Sequence, residues 1–378
     1  MPIELKSITL RGFKSYRALE GFQPGRLTVL LGGNGAGKSN FLSFFTLMHR
    51  MLADPGELAL AVGKAGGAGR ILHHGPKETT GIEAILQVAT ENGLNTYDLR
   101  LEYAAGDQLV TARENWTFHD LVAQQPLLGG GVVGRRESYL NEQALNTDDQ
   151  TARVIRSLLR KCVVYQFHDT SFTSRMRAKS VERDGKHLHG DGSNIAAFLY
   201  NLGRRGDEGR AALKRIQDSI RQVLPFFAAF RLEPEEGHVL LRWRERGEGK
   251  DSDYVFDASQ ASDGMLRIIA LWTLLRQPVD SLPALMLLDE PELGLHPQAI
   301  TFLGALIRHV SRYCQVIVAT QSPALVDQFR LEEIVEVSRE GRESSLVRKT
   351  DAEFGHWLDE YSTGELWRKN ILGGGPGE

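Results

Sequence analysis

Residues 26–52 constrain the fold most. Arg26–Leu31 is apolar and β-prone and runs directly into Gly32-Gly33-Asn34-Gly35-Ala36-Gly37-Lys38-Ser39. Ser39–Leu52, rich in Phe, Leu and Met, then has the spacing of a helix. Strand, glycine turn and helix fit G-x-x-x-x-G-K-[ST] at every fixed position. The residue types have a chemical reason. Phosphate oxygens need donors at close range, and glycines let backbone N–H groups wrap an anion where a Cβ would clash. The helix start adds its positive end. The loop therefore predicts a nucleoside triphosphate, taken as ATP, against Gly32, Asn34, Gly35, Ala36, Gly37 and Asn40. Lys38 is placed to reach the β- and γ-phosphates, and the Ser39 hydroxyl to ligate Mg²⁺.

A second motif lies far downstream. Leu285-Met286-Leu287-Leu288 is followed by Asp289 and Glu290. A continuous apolar run of this length reads as a strand buried on both faces. Two acids at its end fall at the carboxyl edge of an open α/β sheet, where ligands bind. Asp289 is assigned to the Mg²⁺ shell and Glu290 to polarising the attacking water, although an acidic turn after a core strand has the same appearance in isolation. Another buried strand, Gln315–Ala319, ends in Thr320-Gln321-Ser322, and Gln321 is assigned to the γ-phosphate or the water.

Composition excludes several classes. With 42% hydrophobic and 25% charged residues the chain can bury a core, so global disorder is excluded. A net charge of −3 excludes coating nucleic acid through bulk charge, but not a local basic face. Cys162 and Cys314 sit in apolar runs, which predicts buried thiols in a reducing compartment rather than a disulfide framework. The start Met1-Pro2-Ile3-Glu4 has no basic-then-apolar leader, and no apolar run nears the ~18 residues of a membrane span. The expectation is a cytoplasmic protein with no membrane contact.

Between the motifs, Ile82–Ala89, Thr96–Tyr103 and Gln108–Trp116 read as an antiparallel meander, with turns at Asn92-Gly93 and Gly106-Asp107. Gly63–Gly69 and Gly129–Gly131 read as loops, the first a mobile one. Cys162–Phe167 and His238–Trp243 read as strands, and Thr151–Arg160, Asn194–Asn201, Gly209–Val223, Asp263–Arg276 and Pro297–Val310 as helices. The expected division is an ATP-binding lobe with the meander at 1–115 and a basic helical insert at 116–262. An ATPase half at 263–350 and a short tail at 351–378 complete it.

These residues, in this order, resemble the ABC-type ATPase heads of the RecF and SMC group. Leu10-Arg11-Gly12-Phe13-Lys14-Ser15 resembles the strand and turn that open such heads. Gly37-Lys38-Ser39-Asn40 continues the phosphate loop as theirs does. Ser259–Arg267 is similar to their signature segment, and Asp289–Pro297 to their acidic motif and D-loop. Tyr165–Ser171, Asp191–Asn194 and Gly364–Trp367 are similar to segments of compact bacterial ATPases of the AAA family that lack a long coiled coil. The resemblance implies a P-loop NTPase of α/β class. Its mixed central sheet would carry an antiparallel β lobe and a helical lobe with the signature. It also implies a homodimer closed face to face on two ATP molecules, with Ser262 and the helix start at Gly264 on the γ-phosphate held by the other subunit. Taken alone, Ser262-Asp263-Gly264 is also a plain helix cap. Gln166 ends an apolar strand in the order expected of the Q-loop glutamine, and a surface glutamine fits equally. Where such heads usually carry His this chain has Gln321, which cannot titrate near pH 7 and fits slow turnover.

From Thr151 to Arg221 there are 11 Arg and 4 Lys against 7 Asp or Glu. Arg153, Arg156 and Arg160 share a helical face, and Arg204, Arg205, Arg210, Lys214 and Arg215 form a second concentration. Such a basic lobe fits DNA or RNA phosphates, an acidic protein partner, or a solvated surface. His73-His74 and His187-x-His189 lack the spacing and cysteine support of a metal site. The leading functional expectation is an ATP-driven switch coupled to DNA or to a separate effector, in DNA repair or anti-phage defence. A small-molecule phosphotransferase and a catalytically slow scaffold are the alternatives. About 60 residues follow Ser322, too few for a fused nuclease domain, so any cleavage is expected from a partner nuclease subunit.

Overall fold

The computed structural model describes residues 3–53, 56–120, 126–247 and 254–373. The chain opens with β1 (Glu4–Phe13), β2 (Tyr16–Phe22), β3 (Leu27–Leu31), α1 (Lys38–Met51), α2 (Glu57–Lys64) and α3 (Ala68–Ile71). Next come β4 (Gly81–Ala89), β5 (Gly93–Ala104), β6 (Gln108–Asp120), β7 (Pro126–Arg135), α4 (Tyr139–Asn146), α5 (Gln150–Arg160) and β8 (Cys162–Tyr165). The middle holds β9 (Ser180–Val181), α6 (Ile195–Arg204), α7 (Gly206–Val223), β10 (Phe227–Phe230), β11 (Pro234–Glu235), β12 (His238–Val239), β13 (Arg242–Glu245), β14 (Val255–Asp257) and α8 (Asp263–Arg276). Last are β15 (Leu285–Asp289), α9 (Pro297–Val310), β16 (Gln315–Thr320), α10 (Pro323–Val326), β17 (Ile334–Glu340), β18 (Glu343–Arg348), α11 (Asp351–Leu358) and α12 (Thr363–Arg368).

Internal packing divides the chain into two units. The first is Met1–Val164, Pro283–Asp289 and Cys314–Glu378; the second is Tyr165–Leu282 and Glu290–Tyr313.

The first unit holds two six-stranded sheets. One is antiparallel, in the order β2-β1-β4-β5-β6-β7. Alternation builds it: Ile82, Ala84, Leu86 and Val88 point inward from β4, and Tyr97, Leu99 and Leu101 from β5. The other runs β18-β17-β3-β16-β15-β8, with β17, β3, β16 and β15 mutually parallel along the row. Every residue of β3, β15 and β16 is buried, which is why these strands read as unbroken apolar runs. Helix α1 joins the two cores. Phe44 meets Phe13 edge-on, Phe41 meets Tyr16 and Phe22, and Phe45 packs against both Phe41 and Phe44; the same core includes Leu287, Ile317 and Val335. Each such ring contributes about 1.5–3 kcal/mol by burial.

In the second unit α8 packs against α7 and α9. Met265, Leu266 and every residue from Ile268 to Leu275 are buried, so α8 is apolar nearly all round, as a central helix must be. Small sheets β10-β13-β14 and β11-β12-β9 complete the unit.

Three sequence expectations change. The Gly63–Gly69 stretch is not a loop: α2 ends within it and α3 begins, joined by a tight turn at Gly66 and Gly67, both with positive φ. Asp107 anchors it, accepting from Gly69 N at 2.8 Å through its carboxylate and from Ala68 N at 3.0 Å through its carbonyl. Gly129–Gly131 lies inside β7, paired with β6 (Asn115↔Gly131). A Cβ on Gly130 would come within 2.6 Å of the Trp116 ring, so glycine is required for that close approach rather than for a turn. His238–Trp243 splits into β12 and β13, in different sheets. Cys162 and Cys314 are buried free thiols, and burial pushes Cys314 up to about 12. No helix among the described residues is long and apolar enough to cross a membrane.

Candidate functional site

The parallel register brings three strand ends level. Leu31 at the end of β3 pairs with Thr320 at the end of β16, and Asp289 at the end of β15 pairs with Ala319. The glycine turn therefore leaves the sheet edge beside the acidic strand end. Ser39, in the first turn of α1, donates from Oγ to Asp289 Oδ1 at 3.2 Å, and Asp289 is buried. A hydroxyl and a carboxylate this close form the oxygen donor pair a hard cation takes, so these residues fit Mg²⁺. Gln321 follows β16 directly and is half-buried.

The turn itself is a cradle that side chains would fill. A Cβ on Gly32 would lie 2.3 Å from Val337 O, and one on Gly37 2.3 Å from Ser344 Oγ. Gly35 and Gly37 have φ of 79° and 120°, which favour glycine. Lys38 is buried and folds back over the turn, donating from Nζ to Gly32 O at 2.6 Å and Gly33 O at 3.0 Å. Its ammonium thus sits against the loop, where it can meet an anion.

Partners that sequence reasoning missed hold the turn from behind. Tyr16 OH donates to Gly37 O, and Asn40 Nδ2 donates to Ser15 Oγ at 2.9 Å. From the β17–β18 hairpin, Ser344 Oγ donates to Ala36 O at 2.6 Å, Ser344 N to Ser15 O at 2.8 Å, and Arg339 Nη1 to Gly35 O at 3.2 Å. Nothing local flags a serine some 300 residues from the loop. Lys14, in the turn between β1 and β2, has a positive φ and donates to Ser43 Oγ at 2.8 Å; burial lowers its pKa. His73 lies against the Lys14 carbonyl at 2.7 Å through Nδ1.

The remaining predicted residues belong to the second unit. Glu290 opens its later stretch, Glu290–Tyr313, with φ 43°, a left-handed backbone that is rare for a glutamate and the kind of strain that collects at functional positions. Ser262 caps α8, its Oγ accepting from Met265 N at 3.2 Å, and is itself exposed. Gly264 faces the turn after Glu290: a Cβ on it would be 3.4 Å from Gly294 O. Gln166 is exposed, its Nε2 3.2 Å from His168 Nδ1 and its N–H donating to Gly190 O. Phosphate loop, Ser39 and Asp289 are therefore gathered in one unit. The segments that resemble a signature and a D-loop are gathered in the other.

Much of the basic charge of 151–221 is spent internally, inside each unit by itself. Arg153 pairs with Asp148, Lys179 with Glu235, Arg210 with Asp207 and Arg221 with Asp218. Arg156 donates to Asn141 Oδ1 and Ala53 O, and Arg205 to Gly185 O, Lys186 O and Ser281 Oγ.

Known structures share this architecture. The chain is similar to a crystal structure of an SMC head bound to the C-terminal winged-helix domain of ScpA, with TM-score 0.59 and 16% identity over 91% of this chain and 97% of that one. It is also similar to a Pyrococcus furiosus SMC head with an extended coiled coil bound to the C-terminal domain of ScpA, with TM-score 0.59 and 15% identity over 95% and 99% of the two chains. At such identities the likeness is one of fold: a P-loop NTPase of the SMC-head type. No curated protein matches the sequence. A family model described as "AAA domain, putative AbiEii toxin, Type IV TA system" matches residues 136–327, which contain the signature, the acidic strand end and Gln321 but not the phosphate loop. That match spans half of the chain, and the protein belongs to this family of ABC/SMC-head-like AAA ATPases.

Proposed function

We propose that the protein binds and hydrolyses ATP, and that ATP closes two copies face to face as a switch. The hydrogen bond from Ser39 to Asp289 carries this reading, because it supports a Mg²⁺–triphosphate site at the sheet edge. Lys38 binds the β- and γ-phosphates, with Gly32, Asn34, Gly35, Ala36, Gly37 and Asn40 around them. Ser39 and Asp289 hold Mg²⁺, whose charge would neutralise the phosphate oxygens. Glu290, next in the chain, accepts the proton of the attacking water, and Gln321 orients that water. In the closed pair Ser262 and the α8 start at Gly264 reach the γ-phosphate held by the second copy, as a helix N-terminus suits an anion. Gln166, in the loop after β8, takes the Q-loop role.

The switch acts on a separate effector or on DNA. The neighbouring SMC heads are bound to ScpA, and the family description names a type IV toxin–antitoxin system, which supports a partner-coupled role in defence. Lys186, Lys214 and Arg215 are exposed and are among the basic residues on offer to nucleic acid.

Glu290→Gln tests the reading. It keeps the side chain's shape and removes the base, so turnover stops while ATP stays bound. Size-exclusion chromatography with light scattering should show an ATP-dependent dimer in this variant. A monomer in saturating ATP would overturn the switch.

A further inference from the structure

The signature segment and the turn after Glu290 are far apart in sequence, and two arginines join them within the second unit. Arg177, whose side chain is 8% exposed, donates from Nε to Thr170 O at 3.0 Å. Its Nη1 donates to Ala258 O and to Ala261 O, the latter at 2.9 Å, and its Nη2 to Asp263 Oδ1 at 3.1 Å. Arg267, on α8, donates from Nε to Phe167 O at 3.3 Å and from Nη2 to His168 O at 3.1 Å and Thr170 Oγ1 at 3.3 Å. Its Nη1 donates to Leu293 O at 3.3 Å. Thr170 is buried and takes both arginines, one on its carbonyl and one on its hydroxyl.

We infer that Arg177 and Arg267, meeting at Thr170, are positioning residues that lock three segments into one body: 167–170 after the predicted Q-loop glutamine, 258–263 before α8, and 290–295 after the acidic strand. The physical reason is donor count. A guanidinium offers five N–H donors in a rigid plane, and each arginine here spends them chiefly on backbone carbonyls, most of them outside any helix or sheet. A lysine offers a single point charge and cannot bridge the same set. Arg177 belongs to the basic stretch that the sequence left open to nucleic acid, an acidic partner or solvent. Its role is none of these but an interior brace for the signature.

The inference rests on the proposed ATPase for its consequence. Residues assigned to a nucleotide on one copy (Gln166, Glu290) and those assigned to the nucleotide of the second copy (Ser262, Gly264) sit on or directly beside segments that move as one. A shift at 290–295 is then carried to the α8 start through Arg267, Thr170 and Arg177. Removing the brace spares nucleotide uptake, which is assigned to the phosphate loop, and impairs the step that needs all segments in register.

The test uses the full chain as Arg177→Met, Arg177→Lys, Thr170→Val and, as a control, Arg183→Met on the exposed neighbouring segment. Amide hydrogen exchange without nucleotide is followed at 167–170, 258–263 and 290–295, with melting temperature recorded. Arg177→Met is expected to raise exchange in all three segments together, including 290–295, which Arg177 does not touch. With ATP, kcat is expected to fall at least about tenfold with KM changed less than about twofold, the mark of an interaction needed only in the transition state. Arg177→Lys should not rescue, and Arg183→Met should match wild type. If Arg177→Met does not fold, Thr170→Val, which loses only the hydroxyl, reports the same joint exchange. Exchange confined to 258–263, or a folded Arg177→Met with wild-type kcat, overturns the inference. If wild type itself neither binds nor hydrolyses ATP, the functional reading fails, and the exchange pattern alone still decides whether the three segments are one body.

Discussion

Gly37 gives the sharpest prediction, because two separable penalties meet there. Its φ is 120° and its ψ 1°, a backbone that residues with a Cβ rarely adopt. Alanine at that geometry carries about 1–3 kcal/mol of strain. The new Cβ would also lie 2.3 Å from Ser344 Oγ, 2.8 Å from Ser344 Cβ and 3.0 Å from Ser15 Oγ. Ser344 is buried and cannot swing away without giving up its bond to Ala36 O, so overpacking adds about 1–3 kcal/mol. Gly37→Ala is therefore expected to cost about 2–6 kcal/mol. Ser344→Gly by itself loses the hydroxyl's hydrogen bond, about 0.5–1.5 kcal/mol. In the double variant the steric part disappears while the backbone strain stays. The two changes should then couple favourably by about 1–3 kcal/mol. Urea unfolding followed by tryptophan fluorescence and far-ultraviolet circular dichroism measures this, provided the two transitions coincide. ATP affinity is the second readout, with each 1.4 kcal/mol of loop distortion worth about tenfold. Additivity of the two substitutions to within about 0.5 kcal/mol would refute the claim that Ser344 fills the space behind Gly37.

Asp289→Asn keeps the side chain's size and removes its charge, so the Mg²⁺ concentration for half-maximal ATPase activity should rise at least about tenfold, and an unchanged Mg²⁺ titration would exclude Asp289 as a ligand. Glu114 provides a pH test. It is buried on β6, accepts from Tyr97 OH and Ser138 Oγ on one oxygen and from Tyr139 N on the other, and desolvation raises its pKa above the usual 4.5. A group with a raised folded pKa contributes stability that is full below its unfolded value and is lost as pH rises through the folded one. The melting-temperature advantage of wild type over Glu114→Gln should shrink as pH rises from 4.5, and a constant difference would show that Glu114 does not titrate on folding.

Legibility followed the range of the interactions. The phosphate loop, the acidic strand end and the capped start of α8 were readable because each is built from neighbours in sequence: a strand, a turn that tolerates only glycine, a helix with its cap. The meander was readable for the same reason, its alternation being local. Gly129–Gly131 was misread because glycine marks both turns and close approach, and only the position of Trp116 on the adjacent strand distinguishes them. Gly63–Gly69 was misread because Asp107, from the next hairpin, anchors what looks like a loop.

Local patterning, then, marked the local features of this chain: which residues form the glycine turn between strand and helix, which carboxylates end a buried strand, which serine opens a helix. Tertiary packing settled everything that depends on partners distant along the chain. Parallel pairing of β3, β16 and β15 put Ser39 on Asp289, the β17–β18 hairpin laid Ser344 behind Gly37, and Arg177 went to the signature rather than to solvent. The physical reason is that a guanidinium or a hydroxyl carries no sequence mark of whether water or a buried carbonyl will satisfy it. That choice is made only when the chain has folded around it.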